Sequence, residues 1–109
     1  MIDMARELVS IVKEKMIEYY AGDSRRVHHF LKVHSFAKMI AEIENMDPGE
    51  QEVLEIAALT HDIGIKNAEL KYGYNNGRLQ EQEGPPEARR LLRDAGADER
   101  AVERACYLV

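Results

Sequence analysis

Apolar residues recur at three- and four-residue intervals along almost the whole chain, and that period directs it to an all-α fold. Met4, Leu8, Ile11, Val12 and Tyr19 mark a first helix, capped by Asp3 and running to about Tyr20. Ala21-Gly22-Asp23 ends it, with Gly22 as the C-cap. A second helix, over about 24–45, carries Val27, Phe30, Leu31, Ala37 and Ala41 on one arc, and His34 falls in the middle of that arc. Met46-Asp47-Pro48-Gly49-Glu50 then opens a third helix: Asp47 is the N-cap, Pro48 the first helical residue, and Glu50 completes a capping box. This helix runs to about Asp62, and Gly64 ends it. Residues 65–70 form a short helix. Residues 71–84, "KYGYNNGRLQEQEG", are broken by three glycines and an Asn-Asn pair, so a loop of about 14 residues is expected there. Pro85-Pro86 open a helix to about Asp94, Ala95-Gly96 close it, and Asp98 caps a last helix carrying Ala101, Val102, Ala105, Tyr107, Leu108 and Val109.

The 109 residues fit one domain spanning 1–109, with 45% hydrophobic and 32% charged residues, a balance that suits a modest globular core. The net charge of -5 argues against a nucleic-acid polymer as partner, which calls for a basic surface. It leaves room for a small anion held by local Lys and Arg side chains. Cys106 is the lone cysteine; it reads as a small apolar core residue, and a single free thiol fits a reducing cytoplasm. No run is long enough for a membrane span, and "MIDMARELVS" is charged and helical rather than a signal peptide. The last helix runs out on Tyr-Leu-Val with no stop signal, so a chain truncated at its C-terminal end is expected. Such an end would expose apolar surface, which makes a homodimer an expectation too.

The chemistry concentrates in "LTHDIG", residues 59–64, at the end of the third helix. His61 and Asp62 diverge by about 100° on a regular helix. They converge only near the helix end, with a third group arriving from elsewhere, and His34 is the candidate. Two imidazoles and a carboxylate suit iron, manganese, nickel, cobalt or zinc better than calcium. Three protein ligands leave positions open for water or substrate. A histidine on an apolar face is equally explained as a core residue donating one hydrogen bond, and a His-Asp pair as a hydrogen-bonded helix end. Spacing alone leaves these readings open. His28 and His29 are adjacent on a helix and face apart, so neither is expected to serve the site. Arg25 and Arg26 read as first-turn surface charges.

"VHSFAKMIAEIE", followed 27 residues after its His by "AALTHDIG", resembles the HD-domain superfamily of metal-dependent phosphohydrolases, and the resemblance covers roughly residues 24–105. It implies an all-α HD-domain bundle of five to six helices with its C-terminal part missing. It implies a divalent transition metal held by His34, His61 and Asp62, with Asp62 also orienting the attacking water. The family's final Asp ligand has no counterpart here: Asp94 and Asp98 come too early, which would place it beyond Val109. Lys66 would contact a phosphate, with Lys38 a weaker candidate. Glu83 stands where many members carry a further His and would serve a second metal, though one metal is expected; Glu55 would support the site from behind. Tyr72, Tyr74 and Arg78 would stack on and clamp a nucleotide, or else are plain loop residues. The function implied is hydrolysis of a nucleotide or other small phosphorylated metabolite by metal-activated water. The alternative is an inactive HD-like module that binds a ligand or partner.

Overall fold

The computed structural model describes residues 7–108, and among them forms six helices and no strand. They are α1 (Leu8–Tyr19), α2 (Ser24–Ile43), α3 (Pro48–Thr60), α4 (Gly64–Tyr72), α5 (Gly77–Asp94) and α6 (Glu99–Leu108). The expected roles of Asp3, Met4 and Val109 lie outside the described residues.

Helix α3 is the centre of the bundle, packed against α1, α2 and α6. Its contiguous run from Glu55 to Thr60 is buried on every side, as an all-round apolar helix must be. The core around it joins Val12 and Met16 of α1, Phe30 of α2, Leu91 and Leu92 of α5, and Val102 of α6. The two polar intruders are satisfied: Thr60 Oγ1 donates to Ile56 O at 2.8 Å, and Glu55 is paired with His34. Cys106 is also buried, and burial pushes its thiol up.

The capping chemistry explains where the helices start. Asp23 caps α2, accepting from Arg26 N, and Asp98 caps α6, accepting from Ala101 N at 2.8 Å. Asp47 caps α3 through Gly49 N and Glu50 N. Glu50 does not close a capping box; its carboxylate is drawn instead to Arg104 of α6, 2.7 Å away.

Two boundaries differ from the sequence expectation. The long loop over 71–84 shrinks to the turn 73–76, because Gly73 ends α4 at φ 81 and the Asn76 side chain caps α5. Pro85 and Pro86 lie inside α5 rather than at its start. They lack the N–H groups that would bond to the Glu81 and Gln82 carbonyls, and both of those residues are exposed. Gly64 does not terminate α3 but begins α4. A Cβ there would lie 2.7 Å from Gly84 N and 2.8 Å from Gln80 O, so glycine is what lets α4 lie directly on the α5 backbone.

Candidate metal centre

Helix α3 ends at Thr60, and the turn 61–63 leads into α4. Tyr20, at the end of α1, fixes this turn by donating its hydroxyl to Asp62 O at 2.8 Å. Burial pushes the Tyr20 phenol up to about 12, against the opposing pull of Arg26. The turn frees His61 and Asp62 from helical divergence, and both side chains reach toward the first half of α2.

The residue they meet is His29. Its Nε2 lies 3.1 Å from Asp62 Oδ2, while His61 Nε2 lies 3.1 Å from Asp62 Oδ1. The two imidazoles face each other with ring centroids 5.6 Å apart. One ligand atom from each of the three side chains falls within 4.8 Å of the others, a spacing a single cation could span.

The donor chemistry fits a cation. His61 Nδ1 lies 2.9 Å from Ala58 O, a partner that can only accept, so Nδ1 carries a proton, and in the neutral ring Nε2 presents its lone pair. Asp62 Oδ1 is an acceptor as well. Two acceptors held at 3.1 Å repel unless a proton or metal ion lies between them.

Beside the cluster is a cavity of about 500 Å³ lined by Asp23, Arg25, Arg26, His29, Asp62 and Ile65. Arg26 is already committed: its guanidinium grips Glu69 of α4 through two hydrogen bonds of 2.9 and 3.0 Å, with Asp23 3.4 Å away. The same fork holds the Glu69 carboxyl below its usual range. Arg25 makes no ion pair among the described residues and is exposed at the cavity wall.

A family model for the HD domain matches residues 26–108. The chain belongs to the HD domain family. HD domains usually bind divalent metals and are generally hydrolases of the metal-dependent phosphohydrolase superfamily. No match was found among curated proteins or among solved structures.

Within this HD domain, the site expected from sequence is partly redistributed. His61 and Asp62 are brought together, but His34 is not with them. It is buried on another side of α2, with Nε2 2.8 Å from Glu55 Oε1, and Gln51 Nε2 donates to Glu55 Oε2 at 3.0 Å. Glu55 therefore backs His34, not the cluster. Lys66 is turned to α1, donating to Tyr19 O at 3.0 Å with its ammonium 4.6 Å from the Tyr19 ring centre. Lys38 lines a second cavity, the one beside His34 and Glu55.

Glu83 is buried and ion-paired with Lys71 at 2.7 Å, so it joins no metal cluster among the described residues. Tyr72 accepts from Gln82 Nε2 at 3.1 Å, and neither it, Tyr74 nor Arg78 lines the cavity beside Asp62. His29, Arg25 and Arg26 are the residues that sequence reasoning passed over. A signal for His29 was present. Helices α2 and α3 form an antiparallel hairpin, and His29 and His61 stand sixteen residues on either side of Asn45, the positive-φ residue of its turn.

Proposed function

We propose that this HD domain is a phosphohydrolase acting on a small phosphate ester, of the size of a nucleotide, in the cavity beside His29, His61 and Asp62. The observation that carries the reading is the convergence of those three side chains on one point, with Arg25 exposed at the wall of the same cavity. His29 Nε2, His61 Nε2 and the Asp62 carboxylate would hold one divalent metal. Their mixed nitrogen and oxygen character suits manganese, iron, cobalt, nickel or zinc. Such a metal, when bound, polarises a phosphoryl oxygen and lowers the pKa of a coordinated water.

The protein's own contribution is positioning. The Ala58 carbonyl fixes the His61 tautomer and ring plane. Tyr20 holds the 61–63 turn, so the Asp62 carboxylate keeps its place between the imidazoles. Arg25 would pair with phosphate oxygens and offset charge that builds up during hydrolysis. Arg26, neutralised by Glu69, would brace α2 against α4 and keep the cavity wall in shape. A cavity of about 500 Å³ falls within the usual range for small-molecule sites.

The test is phosphate release from p-nitrophenyl phosphate and from a panel of nucleoside monophosphates, with each candidate metal in turn. Turnover that requires added metal and vanishes in His61→Ala is the expected result. No turnover with any metal, together with nucleotide binding that survives chelation, would overturn the hydrolase reading in favour of a binding module.

A further inference from the structure

The outer face of α2 carries a second feature, C-terminal to the turn that holds His29. Phe36, Met39, Ile40 and Ile43 follow one another at i, i+3, i+4 and i+7, the spacing of a helical seam. They are 55, 47, 53 and 73% exposed. This stripe lies about 180° around the helix from His34 and Ala41, which face α3. The remaining large apolar residues at the surface, such as Ile17 and Leu70, are scattered over other helices. Four contiguous ones on a single helix face mark an interaction surface.

The charges around the stripe point to its occupant. Lys32 lies in line with it at the N-terminal end, and Glu42 and Glu44 flank its C-terminal end. All three are exposed and make no ion pair among the described residues. The acidic residues elsewhere are largely taken up: Glu69, Glu83, Glu87, Glu99 and Glu103 are each bound by a cation. A helix face that is apolar in the middle, basic at one end and acidic at the other is complementary to itself, but only head to tail.

We propose that this stripe is a self-association surface on which a second copy of the chain docks with its α2 antiparallel, about a two-fold axis between Met39 and Ile40. Phe36 then meets the partner's Ile43, and Lys32 comes within about 5 Å, measured along the axis, of the partner's Glu44. A parallel pairing would set Lys32 against Lys32 and the glutamates against each other. The interface is isologous, as a closed dimer requires.

Sedimentation velocity of the full chain over a wide concentration range tests this. A monomer–dimer equilibrium is expected, and Ile43→Glu should weaken it at least about tenfold. Because Ile43 is mostly exposed, the variant should keep the wild-type circular dichroism and melting point; Met39→Glu is the second variant, with the same expectation. Lys32→Glu should weaken the dimer, and Glu44→Lys added to it should restore part of the loss. Register is read by disulfide trapping. A mixture of Phe36→Cys and Ile43→Cys chains should cross-link between the two kinds, with the native Cys106 buried. A monomer at every concentration, a dimer indifferent to both glutamate variants, or cross-links only between identical positions would overturn the proposal. The first of these would assign the stripe to a different partner.

Discussion

His34 Nε2 and Glu55 Oε1 meet at 2.8 Å in the buried seam between α2 and α3, while His29, five residues earlier on α2, reaches the His61–Asp62 turn. The two histidines therefore sit in different surroundings, and single substitutions separate them. His34→Ala removes one of the two hydrogen-bond partners of the buried Glu55, leaving only Gln51, and is expected to lower stability by roughly 2 kcal/mol. Metal binding should survive in the folded fraction. His29→Ala removes an exposed side chain, should change apo stability by no more than about 0.5 kcal/mol, and should abolish stoichiometric metal. Urea melts beside elemental analysis of both variants decide the assignment; metal lost in His34→Ala and kept in His29→Ala would reverse it.

Metal should stabilise the fold by mass action, because the three ligands converge only in the native state. A cation present at about 100 times its Kd adds about 2.7 kcal/mol. For a chain of this size that is a rise in Tm of about 10 °C or more. Thermal melts with and without chelator, on wild type and on Asp62→Ala, measure it. An equal metal response in the variant would show that the ion binds elsewhere.

Gly64→Ala is expected to be severe although φ is not the reason. The new Cβ would sit 2.7 Å from Gly84 N and 2.9 Å from Gly84 Cα, both backbone atoms of α5 that cannot rotate away. Overpacking of this kind costs about 2–3 kcal/mol. Since Gly64 follows the Asp62 turn by two residues, the displaced α4 should also weaken metal affinity. Gly77→Ala is the control: nothing lies within 4 Å of its Cβ position, so denaturant melts should show little change.

Glu87 should give the fold an acid limit. Its side chain is only 12% exposed, and burial alone would raise its pKa. Hydrogen bonds from Arg90 at 2.6 Å, Asn67 at 2.8 Å and Tyr19 at 3.0 Å outweigh that and hold the carboxyl below its ordinary 4.5. A folded pKa below the unfolded one contributes stability that is present above about pH 4.5 and lost as the pH falls through the folded value. Stability of Glu87→Gln should therefore fall less steeply than wild type below pH 4.5, as read by denaturant melts across pH 3–6. Parallel slopes would remove Glu87 from the account.

Much was written in the sequence itself, because helices are specified locally. The apolar period, Asp47 and Asp98 as caps, and Gly22 and Gly96 at helix ends set α2, α3, α4, α6 and the end of α5 within a residue or two, but not the start of α5. "LTHDIG" drew attention because a His-Asp pair closing an apolar helix demands a partner, and the resemblance to HD domains, not the spacing, pointed to a metal. What only the tertiary structure decided was which partner. Burial ranked His34 above His29, yet a core histidine is enclosed by its own helix pair and found Glu55 there. The hairpin centred on Asn45 carries the less apolar position, His29, opposite His61, where it stays open to the cavity beside Asp62. Lys66, Glu83 and the prolines of α5 were misplaced for a related reason. The partners Tyr19 and Lys71, and the helical run through the prolines, are set by how α4 and α5 pack, and local sequence spacing carries no record of that packing.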